Sequence, residues 1–197
     1  PPGGCTVGLS AHFDVEAADP AAWHERHFGD PFSLRLDEAT GRYHGRGVGD
    51  NLGPLALRLL ALESAVAQGV PLPTMVWVIH GDEETGAAGA HAVYPSLGFP
   101  PVHVWVEETG FFVAGEPTQR LLVSPSAVPP PLRACVSAVT ELAGAAGLAV
   151  DVQLRYMNKS GGIEACPFLR HCVKGQPYIA LGPNDTKTGI HLPDESV

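Results

Sequence analysis

An acidic loop in the middle of the chain carries residues that could hold a metal ion. Residues 74–79 are rich in β-branched and aromatic side chains and predict a buried strand, which leads into Asp82, Glu83 and Glu84. Adjacent glutamates repel each other unless a positive charge lies beside them, and a metal ion is the simplest source of that charge. The same residues would also suit a solvated turn before a helix. The choice between these interpretations therefore depends on the rest of the chain.

Two other apolar segments also end in residues that can bind metals. Residues 5–10 predict a strand that runs into His12 and Asp14, which share a face if the chain stays extended. A carboxylate placed there can orient an imidazole that binds a metal. Residues 102–106 predict another strand, and it ends at Glu107. Because parallel strands bring their carboxyl ends to one edge of a sheet, all these residues are expected along a single edge.

Two loops add a carboxylate and a second histidine to this set. The glycine-rich residues 45–53 display Asp50 and lack the GK[ST] or GxGxxG pattern of a phosphate-binding loop, so a cation fits them better. His191 precedes a helix-start signature, which places it on a loop at the same edge. Two histidines and several carboxylates without a thiolate suit one or two zinc ions of a catalytic site, or manganese or cobalt.

Such a site predicts hydrolysis. Asp50 has two oxygens and could bridge two ions about 3.5 Å apart, which would share a hydroxide and polarise a carbonyl group. One glutamate would have to stay off the metal to accept the proton of water and pass it to the leaving nitrogen.

The remaining elements predict an α/β protein. We expect helices over 52–68, 86–96, 132–146 and 163–173, strands over 149–156 and 177–181, and a hairpin within 32–44 at the sheet edge. Residues 16–32 are polar and turn-rich and predict a surface loop. Residues 111–131 are irregular, with one short strand predicted over 120–124.

Composition limits the partners. The chain has 197 residues, 45% hydrophobic and 17% charged, which is typical of a folded protein with one full core. A net charge of −9 with no basic block argues against nucleic acid and anionic membranes, and no apolar run reaches the roughly 18 residues of a membrane span. Four cysteines without a CxxC pair predict free thiols, which favours a reducing compartment and a cytoplasmic location.

Five motifs follow one another along the chain: HxDV at His12, GRGxxDNxGP around Asp50, DEExG at Glu83, a strand-end Glu107, and GxHxPDE at His191. Together they resemble the di-zinc aminoacylase, carboxypeptidase and dipeptidase family, which includes carnosine dipeptidases, acetylornithine deacetylases and succinyl-diaminopimelate desuccinylases. The resemblance implies a three-layer αβα sandwich with a mostly parallel central sheet. It also implies two zinc ions and a substrate that is a small peptide or an N-acyl amino acid.

The resemblance also implies roles for individual residues. The first ion would be held by His12 and Glu107, the second by Glu84 and His191, and Asp50 would bridge them. Glu83 would be the general base, Asp14 would orient His12, and a cis peptide bond would follow Asp50. The backbone of Gly161 and Gly162 would lie near the substrate, and Asn158 is a candidate to meet its carboxylate. Glu108 is an alternative ligand to Glu107.

One departure from this family concerns the domain organisation of the chain. Relatives insert a lid or dimerisation domain after the Glu107 strand, whereas here residues 111–131 form only a short connection. We therefore expect one catalytic domain over residues 1–197, which would be a monomer. Two other interpretations stay open: an enzyme like the lid-free aminopeptidases, and a trimmed or non-catalytic metal-binding domain. Glu83 beside a complete ligand set favours an enzyme, because a binding site needs no base.

Overall fold

The computed structural model describes residues 4–26, 29–86, 88–93, 96, 98, 101–107, 118–123, 130–154, 178–180, 182 and 188–197. Its elements, in chain order, are β1 (Thr6–His12), α1 (Pro20–Glu25), β2 (Arg35–Asp37), β3 (Arg42–His44), α2 (Leu52–Ala67), β4 (Thr74–His80), α3 (Ala88–Val93), β5 (Val104–Glu107), β6 (Thr118–Val123), α4 (Pro130–Ala145), β7 (Ala149–Leu154) and β8 (Tyr178–Ala180).

Six strands form one sheet in the order β4-β1-β5-β8-β6-β7. All neighbouring pairs are parallel except β6 and β8, which run antiparallel. The predicted α/β fold with a mostly parallel central sheet is therefore confirmed. Strands β1 and β4 are in full register, from Thr6 opposite Thr74 to His12 opposite His80. The loops that follow these two strands consequently leave the sheet at the same edge.

The centre of the sheet is its most buried part. Val104, Ile179 and Ala180 are almost fully buried on β5 and β8, as expected for strands with neighbours on both sides. The Trp105 ring lies directly over Gly8 of β1, where a Cβ atom would come within 2.4 Å of it. Only glycine leaves room for this contact, so the indole can cover β1 on one face of the sheet while β1 and β5 lie side by side as parallel neighbours.

Two predictions about the segment before α2 are wrong. Residues 16–32 were predicted to be a loop, but they contain α1, in which Asp19 caps the Ala21 N–H at 2.9 Å and a proline fills the first turn. The helix forms because it buries Trp23, which is 1% exposed. The hairpin β2–β3 does form, but as a separate two-stranded sheet and not at the edge of the main sheet.

The other predicted elements agree with the structure where it describes them. α2 and α4 begin and end within about two residues of their predicted limits, α3 lies inside residues 86–96, and β6 occupies the position of the short strand predicted near residue 120. The predicted helix over 163–173 and parts of the connection 111–131 lie outside the described residues. Within the described ranges, none of the helices has the length and apolar content that crossing a membrane requires.

Candidate metal centre

Three side chains that could bind a metal converge at the carboxyl edge of the sheet. His12 ends β1, Glu84 lies in the loop after β4, and Asp50 lies in the glycine-rich loop before α2. One ligand atom from each of them lies within 4.8 Å of the other two. Residues 12 and 84 meet because β1 and β4 are parallel neighbours in register. Asp50 comes from a loop that crosses over the same edge.

The orientation of His12 is fixed by hydrogen bonds on both sides of its ring. Nδ1 lies 3.0 Å from the backbone oxygen of Asp14, so the tautomer with a proton on Nδ1 donates there and leaves Nε2 for the cluster. Nε2 lies 2.9 Å from Asp50 Oδ1. The Asp14 carboxylate is 3.3 Å from Nδ1 through Oδ1, and its Oδ2 accepts the Glu84 N–H at 3.2 Å. Asp14 therefore contacts His12 mainly through its carbonyl and links it to the acidic loop.

His191 lies on the opposite side of Asp50. Its Nε2 is 3.2 Å from Glu84 Oε2 and 3.4 Å from Asp50 Oδ2. Each oxygen of Asp50 thus faces a different histidine, which is the arrangement that a bridging carboxylate needs. The Asp50–Asn51 peptide bond is cis, as the family resemblance implied.

The charges of the cluster suit a bound cation. Burial lowers the pKa of His12, but its hydrogen bond to Asp50 and the charges of Asp50 and Glu83 raise it more, to about 9. Hydrogen bonds to Asp50 and Glu84 raise the pKa of His191 to about 10. Burial opposes ionisation of Asp50, yet both histidines hold its pKa below the usual value. The carboxylates draw protons onto the imidazoles, and a metal ion can replace those protons. Imidazole and carboxylate donors without thiolates fit zinc, manganese or cobalt.

The other predicted site residues fall into two groups. Glu83 is half-buried beside the cluster, and its negative charge is among the causes that raise the pKa of His12, but it does not belong to the convergent group of His12, Asp50 and Glu84. Glu107 ends β5 at the same edge, and its side chain lies outside the described part of the chain. Four further predicted residues also lie outside the described part: Glu108, Asn158, Gly161 and Gly162.

Sequence reasoning did not single out two buried side chains that bind the loops of Asp50 and His191. Arg46 and Glu195 form an ion pair at 2.6 Å, and their side chains are 3% and 0% exposed. Arg46 belongs to the GRG motif, and Glu195 lies four residues after His191. The sequence offers one signal for this pair, because an arginine and a glutamate belong to the two motifs that carry Asp50 and His191. Nothing in their spacing shows that they meet.

Comparison with known proteins places the chain in a family. The profile of Peptidase family M20/M25/M40 matches residues 8–197. The Cys-Gly metallodipeptidase DUG1 of Saccharomyces cerevisiae is 36% identical over 83 residues, which are 42% of this chain and 17% of that protein. The cysteinylglycine-S-conjugate dipeptidase of Corynebacterium striatum is 38% identical over 82 residues, or 41% of this chain and 17% of that protein.

Two solved structures are also similar to this chain. They are the dipeptidase Dug1p from Saccharomyces cerevisiae and human carnosine dipeptidase 1, with 26% and 25% identity and a TM-score of 0.51 in each case. Both matches cover 63% of this chain and 26% of the other chain. The matched part therefore spans about a quarter or less of each relative's length.

Proposed function

Because the chain belongs to Peptidase family M20/M25/M40, we propose that it is a metal-dependent dipeptidase, which hydrolyses the amide bond of small peptides. The observation that carries the proposal is the convergence of His12, Asp50 and Glu84 within 4.8 Å at the carboxyl edge of the sheet. The relatives are named dipeptidases, so we take dipeptides as the substrate class in preference to N-acyl amino acids.

We assign the ligands by position. His12 and Glu107 would hold one ion, Glu84 and His191 the other, with Asp50 between them. When bound there, two zinc ions, or manganese or cobalt, would polarise the scissile carbonyl and make water a stronger nucleophile at neutral pH. One oxygen of Asp50 faces His12 and the other faces His191, which supports Asp50 as the bridging ligand.

Glu83 is the proposed general base. It is half-buried and close enough to the cluster for its charge to act on His12, while Glu84, next to it, turns toward His191. Glu83 would take a proton from the attacking water and deliver it to the amide nitrogen as the carbon–nitrogen bond breaks, which yields a free amine and a carboxylate. Asp14 would keep His12 in one tautomer, because the ring donates its Nδ1 proton to the Asp14 backbone.

The remaining assignments extend the same proposal. Gly161 and Gly162 would place backbone amides near the substrate, and Asn158 would meet its carboxylate. The chemistry would lie in one catalytic domain, residues 1–197, in which residues 111–131, which include β6, take the place of the domain that relatives insert.

Three single substitutions in the acidic loop test the proposal. Glu83→Gln should lower turnover of a dipeptide such as Cys-Gly by about 10²–10⁴-fold and leave bound zinc unchanged, because a base that stays off the metal is lost. Glu84→Gln should lose zinc and activity together. Asp82→Asn is the matched control, because Asp82 is exposed in the same loop and should affect neither measurement.

Zinc content is measured by elemental analysis after dialysis, and turnover by amine release from dipeptides and N-acetyl amino acids. Loss of zinc with Glu83→Gln would show that the base and ligand assignments are wrong. A wild-type protein that binds zinc but cleaves nothing in the panel would favour the non-catalytic interpretation. Cleavage of N-acetyl amino acids alone would replace dipeptides as the substrate class.

A further inference from the structure

A buried ion pair connects the two loops that carry Asp50 and His191. Arg46 Nη1 donates to Glu195 Oε2 at 2.6 Å, and the two side chains are almost fully shielded from solvent. Each member lies four residues from one of these candidate ligands: Arg46 from Asp50, and Glu195 from His191. The contacts of the pair cross over between the loops, since each side chain binds the backbone of the other loop.

Glu195 holds the backbone at Asp50. Its Oε1 accepts the N–H of Gly49 at 2.9 Å and the N–H of Asp50 at 3.2 Å. Two N–H groups on one carboxylate oxygen fix the direction of the peptide that precedes Asp50. The Asp50 carboxylate therefore enters the cluster at an angle that Glu195 sets.

Arg46 holds the backbone at His191. Its Nη2 donates to the His191 carbonyl at 3.1 Å, and its guanidinium lies 5.7 Å from the Trp23 ring centroid. His191 has a positive φ of 66°, a conformation that is uncommon for a non-glycine residue. Two hydrogen bonds restrain this backbone: the Leu192 N–H donates to the Gly189 carbonyl at 2.8 Å across the turn, and Arg46 binds the His191 carbonyl from the other loop.

A pair this deeply buried is a weak source of stability. Removing both charges from water opposes folding, and apolar side chains of similar volume in their place often make a protein as stable or more so. Its contacts, by contrast, go to the backbone of two candidate ligands. We propose that Arg46 and Glu195 are positioning residues that set the separation of Asp50 and His191 and thereby the metal affinity of the centre. This inference rests on the proposed function.

Cobalt(II) titration of the metal-free full chain tests the inference, because the visible absorption of bound cobalt reports its ligands without any need for activity. The main variant is the double substitution Arg46→Met with Glu195→Met, which removes both charges but keeps the volume filled. A second variant, Arg46→Lys, keeps the charge, but one ammonium cannot reproduce the fork that reaches both Glu195 and the His191 carbonyl. Arg26→Ala is the control, because Arg26 forms an exposed ion pair with Asp194 in the same region.

We expect both Arg46 variants to bind cobalt about 10–100-fold more weakly than the wild type, with an altered spectrum, as is usual when the partners of metal ligands are removed. The double variant should show this loss in protein that is still folded without metal, with a melting temperature lowered by the missing bonds to the backbone of Gly49, Asp50 and His191. Arg26→Ala should bind cobalt like the wild type.

Three results would overturn the inference. Wild-type affinity and spectrum in a folded Arg46 variant would mean that the pair does not position the ligands. Unfolding of both variants would mean that it serves folding instead. A wild type that binds no cobalt would overturn the proposed function, and this inference with it, whereas normal binding in the wild type and the variants alike would overturn the inference alone.

Discussion

The metal-free protein should lose stability as the pH rises from about 6.5 to about 10. Folding raises the pKa of His12 from 6.5 to about 9, because its bonds to Asp50 outweigh the effect of burial. A group whose pKa is higher in the folded state stabilises the fold fully below its unfolded pKa. That contribution disappears as the pH rises through the folded pKa. Removing the proton from His12 leaves Asp50 and Glu84 facing each other with less positive charge between them.

The size of the effect follows from the pKa of His12. Each pKa unit corresponds to about 1.4 kcal/mol, so the interaction of His12 with its partners contributes about 3 kcal/mol to the free energy of unfolding. The lowered pKa of Asp50 reports the same interaction, so it adds no second contribution. For a chain of this length, that loss would lower the melting temperature by about 6–12 °C. His191 should extend the decline toward pH 10. Its contribution is smaller because its side chain is 43% exposed and solvent screens its charge.

Thermal unfolding followed by circular dichroism in the presence of a chelator measures this directly, from pH 6 to pH 10. Asp50→Asn should flatten the decline, because a neutral amide cannot hold the proton on His12. His24→Gln, which alters an exposed histidine on α1, should leave the decline unchanged. A constant melting temperature across this range would refute the reasoning, as would an equal decline in Asp50→Asn.

Other predictions concern metal binding and packing. With His12 as a zinc ligand, as proposed, zinc displaces the proton of its imidazole, so the apparent zinc affinity should rise about tenfold per pH unit between pH 7 and pH 9, as measured by competition with a chelator of known affinity. Gly53→Ala should destabilise the protein by about 1–3 kcal/mol in urea unfolding, because its Cβ would lie 2.0 Å from the Val48 oxygen. Gly144→Ala, in open space near the end of α4, should instead stabilise it by about 0.5 kcal/mol. Trp105→Ala should cost about 3–5 kcal/mol in the same assay.

The edge of the sheet that carries the site could be predicted because three strands, β1, β4 and β5, run into residues that can bind a metal. Alternating helices and apolar strands indicate a parallel sheet, and parallel neighbours bring their carboxyl ends together. What the pattern missed was α1, because residues 16–32 are polar apart from a few side chains. Asp19 followed by Pro20 is a helix-start signal, but the helix also buries Trp23, whose ring centroid lies 5.7 Å from the guanidinium of Arg46 in a distant segment. Such tertiary contacts are not visible in local periodicity.

The centre shows the same division between local and distant information. His12, Asp50 and Glu84 could be predicted to meet. His12 and Glu84 lie at the ends of parallel strands, and Asp50 lies on a glycine-rich loop at the same edge. The contact of His12 with the Asp14 carbonyl could not be predicted, because the sequence suggests a carboxylate partner and only the turn after β1 decides which oxygen is nearer. Long-range partners such as Glu195 are fixed by how loops cross, which spacing does not encode.

The carboxylates of Asp50 and Glu84 bring negative charge to the centre. Backbone N–H groups bind two of its carboxylates: the Glu16 N–H donates to Glu84 at 3.2 Å, and the Glu84 N–H donates to Asp14 at 3.2 Å. The cationic partners that the structure gives Asp50 and Glu84, within the residues it describes, are histidines. A lysine or an arginine keeps its charge near neutral pH and would compete with a metal ion, whereas an imidazolium gives up its proton. The histidines of the cluster can therefore hold protons when no metal is bound and exchange those protons for metal ions.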